Sequence, residues 1–125
     1  MTLRINDLKA YVPAKDYELS KRFYAALGFR MSPGWGDSVD FELGGAAFRL
    51  QNYYVKDWAN NFMMVLGVDD VEKWHERALH VVEQGEFKTA RTKPPEVVDD
   101  GSRVFHVWDP SGVLLVFVQS RQEPA

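Results

Sequence analysis

Few residues in this 125-residue sequence could move a proton or hold an ion. It has three histidines, and acids and bases interleaved with apolar runs. Two of the histidines fall in His75-Glu76-Arg77-Ala78-Leu79-His80, which has the outline of a metal-binding helix. Their spacing is five rather than four, so they point about 140° apart around a helix and cannot close on one ion. Both are expected on a solvated face. His106 lies in Arg103–Trp108, where Phe105 and Val107 alternate with Val104, His106 and Trp108. Alternation places it on the face opposite Phe105, beside Trp108. There it would be a hydrogen-bonded core histidine, or a ligand donor or general base near neutral pH. The same parity turns Asp7, Lys9 and Tyr11, Asp40 and Glu42, and Arg49 and Gln51 away from their apolar neighbours. Lys9 and Arg49 would hold an anion, with His106 or Glu42 as a weak candidate for moving its proton. Alternatively the cations and acids neutralise one another, since unpaired buried charge is costly.

Composition narrows the chemistry further. Without cysteine there is no disulfide frame, thiolate zinc site or cysteine nucleophile. A net charge of −3, a pI near 5.6 and the lack of a Lys/Arg run argue against nucleic acid or a membrane surface as partner. No apolar stretch approaches the roughly 18 residues of a membrane span, and the start of the sequence carries no signal-peptide core. The expectation is a soluble, cytoplasmic protein. Its 46% hydrophobic content, with 8 Phe, 5 Tyr and 4 Trp, suits one packed domain and excludes disorder.

An internal repeat must position these side chains. Val12 to Glu18 and Gly67 to Glu72 each run from an apolar strand through an Asp into a helical pattern, and Asp16 and Asp70 stand 54 residues apart. Leu19, Phe23 and Leu27 mark one helix face; Val71, Trp74, Ala78 and Val81 mark the other. Asp16 and either Asp69 or Asp70 would cap the helices, and Gly28 would end the first. Strand-like runs follow each helix. They are Phe29–Met31, Val39–Leu43 and Ala46–Gln51 in the first half, with a turn at Gly44-Gly45. In the second half they are a weak strand near Glu86-Phe87, then Arg103–Trp108 and Val113–Gln119 about Asp109-Pro110-Ser111-Gly112. Gly45 and Gly112 are 67 residues apart, which leaves a 13-residue insertion across 88–101, read as a polar loop or lid around Pro94-Pro95. The prediction is one α+β domain over 1–125, with module one at 4–55 and module two at 60–120. Each module has the order strand-helix-strand-strand-strand.

The run from Asp16 to Phe29, with Phe23-Tyr24-Ala25-Ala26-Leu27-Gly28-Phe29 at its end, and Asp109-Pro110-Ser111-Gly112-Val113-Leu114-Leu115 resemble the glyoxalase/bleomycin-resistance/extradiol-dioxygenase superfamily, the vicinal oxygen chelate fold. The resemblance covers nearly the whole chain. It implies two βαβββ modules forming a curved mixed-sheet cup with helices outside, usually as a homodimer, with a small molecule in the cup. Metal-dependent members would place ligands seven residues before each helix-starting Asp and four after each hairpin Gly. Here those positions hold Lys9, Met63, Arg49 and Val116, a poor set for a divalent ion. No metal or cofactor is therefore expected. Module one would offer a charged wall through Lys9, Tyr11, Arg49 and Gln51. Module two would offer an apolar one through Met63, Val65, Leu114, Val116 and Val118, with His106 and Trp108. Trp35, Tyr53, Tyr54 and Trp58 would rim the mouth, cover a dimer interface or simply pack. The reading is a bleomycin-resistance-like protein holding a small amphipathic molecule, as in drug or metabolite sequestration. The alternative is a lyase of the lactoylglutathione lyase type, or a related dioxygenase, with a metal site not visible in the sequence.

Overall fold

The computed structural model describes residues 2–121. Module one contains β1 (Tyr11–Pro13), α1 (Tyr17–Leu27), β2 (Arg30–Pro33), β3 (Ser38–Leu43) and β4 (Ala46–Gln51). A short α2 (Lys56–Asn61) leads into module two: β5 (Met63–Gly67), α3 (Val71–Glu83), β6 (Arg91–Val97), β7 (Arg103–Trp108) and β8 (Leu114–Gln119). The sheets have the same topology, β1-β4-β3-β2 and β5-β8-β7-β6, each with one parallel pair at the opening strand. The architecture is α+β, with two βαβββ modules. Among the described residues no helix is long and apolar enough to cross a membrane.

Capping explains where the helices start. The Asp16 carboxylate accepts from the Leu19 amide at 3.1 Å, and Asp70 from the Lys73 amide at 3.1 Å. Asp70 rather than Asp69 is thus the equivalent of Asp16, which preserves the 54-residue repeat in three dimensions. Gly28 ends α1 at φ 114°, in the left-handed region, with Arg77 of α3 reaching across to the Leu27 carbonyl. A Cβ at Gly28 would also come within 2.6 Å of the Arg77 guanidinium. Gly28→Ala is expected to lower stability by about 1–2 kcal/mol through strained φ. A lower urea midpoint at unchanged slope would report it.

Each helix covers one face of its sheet. Tyr24 packs on Phe41 and Phe48, while Trp74 packs on Phe117, which itself stacks on Phe105 at 4.7 Å. The modules are locked together by the β7–β8 turn. Tyr24 Oη donates to the buried Asp109 at 2.6 Å, and the Lys15 amide donates to Ser111 Oγ at 2.9 Å. Phe23 meets Phe87 edge-on.

Four expectations need correction. The opening strand begins at Tyr11, and residues 2–10 have no strand structure. Leu8 is 86% exposed and Ala10 is also exposed, so they are not buried apolar neighbours from which Asp7 and Lys9 turn away. In the β1–β4 register Ala46 would lie opposite Leu8, so residues before Leu8 have no strand to pair with, while Leu8–Ala10 run beside β4 without forming strand, the Ala10 carbonyl accepting from the Arg49 amide at 2.9 Å. The weak strand at Glu86-Phe87 is instead a bend whose Phe87 is a core residue. The segment 88–101, expected as a loop or lid, contains β6. This is an edge strand whose register shifts between Lys93 and Glu96, where Pro94 and Pro95 can forgo ladder donors. His75 is half-buried edge-on to Phe105 rather than fully solvated, while His80 is exposed.

Candidate functional site

The faces away from the helices carry the candidate residues. Period-two alternation drives Phe105 and Val107 into the core and leaves His106 and Trp108 on the open side of β7. Register then places two rows across the four strands of module two. One runs Arg91, Trp108, Leu114, Met63; the other runs Lys93, His106, Val116, Val65. The rings of His106 and Trp108 lie near-parallel at 22°, with centroids 5.9 Å apart. The Arg91 guanidinium sits 4.2 Å from the Trp108 ring centre, and the Lys93 ammonium 5.5 Å from it. A cavity of about 520 Å³ opens here, lined by Lys93–Glu96, His106, Trp108 and Leu114. A second, of about 470 Å³, also reaches Trp108, between Lys15, Asn60 and Arg91 at the junction of the modules.

Module one closes its charges on itself. Arg49 grips Asp40 with two hydrogen bonds, Nε at 2.7 Å and Nη2 at 3.1 Å, while its guanidinium lies 5.6 Å from the Tyr11 ring centre. Lys9 stands 4.0 Å from Asp40 and 2.7 Å from Asp7. The hydrogen bonds from Arg49 hold the Asp40 carboxyl below the usual carboxylate range. Glu42 pairs with Arg30, its neighbour across β2 and β3, and not with Lys9 or Arg49.

Lys9, Tyr11 and Arg49 therefore do come together, around Asp40, and His106, Trp108, Val116 and Met63 come together on module two. Neither cavity at Trp108 is lined by Lys9, Tyr11, Arg49 or Gln51. Gln51 lies half-buried opposite Ser38 at the far end of β4, and Trp35 projects from the β2–β3 loop at 77% exposure. Tyr54 lies under Lys15, and Trp58 packs edge-on against Phe62. The contrast of a charged wall with an apolar one is corrected. Module one is internally paired, whereas module two carries Arg91 and Lys93, neither of which has a carboxylate partner among the described residues. Those two cations were hidden because Pro94-Pro95 masked a strand. The alternation of Arg91, Thr92 and Lys93 was the available signal.

The side chains at the four family ligand positions do not suit a divalent ion. Lys9 and Arg49 are cations engaged with Asp40, Val116 has no donor atom, and Met63 offers only a soft thioether. No trio of His, Asp or Glu among the described residues is placed to hold a metal.

Comparison with known proteins agrees with the topology. The sequence matches the Glyoxalase/Bleomycin resistance protein/Dioxygenase superfamily over residues 4–117. Among curated proteins none matches the chain. A bleomycin resistance determinant encoded on the transposon Tn5 superimposes with a TM-score of 0.77 at 20% identity, covering 94% of this chain and all of that one. The bleomycin-binding protein of bleomycin-producing Streptomyces verticillus, complexed with copper(II)-bleomycin, gives 0.74 at 22% identity, over 95% of this chain and all of that one. A lactoylglutathione lyase from Agrobacterium tumefaciens gives 0.64 at 16% identity, over 93% of this chain and 95% of that one. At these identities the likeness shows the fold alone.

Proposed function

Because the chain belongs to the Glyoxalase/Bleomycin resistance protein/Dioxygenase superfamily, we propose that it is a binding protein that sequesters a small amphipathic molecule without a metal. The observation that carries this reading is the stacked His106–Trp108 pair lining the cavity of about 520 Å³, a size suited to a small ligand. The bleomycin complexes of similarly folded proteins support small-molecule binding as the fold's use here. A metal-dependent lyase would need donors at Lys9, Arg49, Met63 and Val116 that these side chains do not supply.

The cup is completed by a second copy of the chain. Leu3, Ile5 and Leu8 on the unpaired N-terminal segment, and Met63 and Val65 on the free edge strand β5, are apolar and largely exposed. Such surface is covered in a stable protein. Sedimentation at micromolar concentration is expected to show a dimer, and Val65→Asp with Ile5→Asp a monomer. A wild-type monomer would remove the dimer from the proposal.

The binding reading is tested by a thermal-shift screen of small aromatic compounds against chelator-treated protein. Compounds that raise the melting temperature are expected to lose the effect in Leu114→Trp, whose larger uncharged side chain takes up part of the cavity. Undiminished shifts in that variant would place the site elsewhere. Stoichiometric zinc, nickel or iron in protein purified without chelator, lost on His106→Ala, would overturn the metal-free reading.

A further inference from the structure

The two rows across module two form a polarity gradient rather than a uniform wall. On β6 stand the cations Arg91 and Lys93; on β7 the flat rings of Trp108 and His106; on β8 Leu114 and Val116; and on β5 Met63 and Val65. Three strand spacings make this ramp about 14 Å long. Its charge is not cancelled locally, because neither Arg91 nor Lys93 pairs with a carboxylate among the described residues and Glu96 is the one acid lining the cavity. Module one does not oppose it either, since Asp40 and Glu42 are engaged by Arg49 and Arg30.

We propose that the ligand is an aromatic or conjugated monoanion, a carboxylate or sulfonate, lying against Trp108 and His106 with its charged group at Arg91 and Lys93 and its apolar end over Leu114 of β8. This deepens the proposed binding function and rests on the assignment of the ligand to the open face of module two. A cation would meet, among the described residues, two cations without a carboxylate partner against one acid lining the cavity. A neutral ring would leave the charged end of the ramp unused, so the gradient selects by charge as well as by shape.

Isothermal titration with naphthoate, naphthamide and naphthylmethylamine, at one ionic strength, separates the possibilities. Naphthoate is expected to bind about tenfold or more tightly than naphthamide, and the amine most weakly, as a charge-assisted hydrogen bond would give. Lys93→Met is expected to lose about tenfold for naphthoate while leaving naphthamide unchanged, and Lys93→Glu to lose more. Lys88→Met, an equal charge change at an exposed residue outside the cavity lining, is expected to change nothing. Lys93 is exposed and its side chain makes no hydrogen bond or ion pair among the described residues, so its variants should fold, which a thermal melt would verify. If naphthamide or the amine binds as tightly as naphthoate, and Leu114→Trp still abolishes binding, the anion assignment fails while the binding face stands. If none of the three binds at millimolar concentration, or Leu114→Trp makes no difference, the assignment of the face fails and this inference with it.

Discussion

Asp109→Ala is expected to destabilise the protein by about 3–5 kcal/mol, the largest effect of any single polar substitution considered. Asp109 is fully buried at the turn that joins the modules. One carboxylate oxygen accepts from Tyr24 Oη at 2.6 Å, and the other from the amides of Ser111 at 2.8 Å and Val113 at 3.0 Å. Alanine would leave a buried phenol and two buried amides without acceptors, and water cannot replace the lost oxygens without opening the junction. Asparagine behaves differently: its carbonyl oxygen accepts from both amides and its NH2 donates to Tyr24 Oη.

The proton balance of this carboxyl gives that comparison a sign. Desolvation pushes Asp109 from 3.8 up to about 6, against the hydrogen bonds from Tyr24 and the turn amides. The folded state binds the proton more tightly than the unfolded one. The associated stability is therefore complete below about pH 4 and is lost as pH rises through about 6. An asparagine side chain cannot ionise, so the stability of Asp109→Asn relative to wild type is expected to rise by about 2.5 kcal/mol between pH 4 and pH 8. Urea unfolding of both proteins across that range measures it. A constant difference would show that Asp109 keeps its ordinary proton affinity in the fold.

Trp108→Ala is expected to weaken binding of an aromatic anion by about 30-fold or more, in the range of a central aromatic anchor. Trp108 reaches both cavities, lies beside His106 and takes the Arg91 guanidinium at 4.2 Å. Removing the ring deletes the platform and releases Arg91 from the position that presents its charge to the ligand. Trp108→Phe keeps a smaller ring in place and is expected to lose only a few-fold. Parallel titration of the two variants separates the loss of a stacking surface from a general loosening of β7, and equal losses would point to the latter. The side chain is only half-buried, so stability should fall less than for a core aromatic such as Phe105.

The clearest parts of the fold in the sequence were those set by local chemistry. Asp16, Asp70 and Gly28 mark helix ends because capping and left-handed φ depend on one residue and its immediate neighbours. Alternation in β3, β4, β7 and β8 sorted buried from open residues because pleating imposes a period of two. The opening strand was over-extended because its length depends on pairing with β4, a long-range contact invisible to local pattern. β6 was missed because two prolines read as a loop unless the strand lies at a sheet edge with a bulge. The short α2 left no signal that distinguishes it from a linker.

By itself, then, the sequence determined the two-module repeat, the alternation of buried and open residues in β7 and β8, and the lack of donors at the family's metal positions. These follow from periodicity and residue chemistry, which need no knowledge of distant neighbours. Only the tertiary structure decided which charges are spent and which are free. Arg49 and Asp40 lie 9 residues apart yet face each other across β3 and β4, whereas Arg91 and Lys93 arrive beside Trp108 and His106 on an edge strand with no carboxylate paired to either among the described residues. Charge pairing depends on distances of a few ångströms between segments that strand register brings together. The predicted charged wall thus became the neutral one, and the predicted apolar wall acquired the cations that select the ligand proposed for this protein.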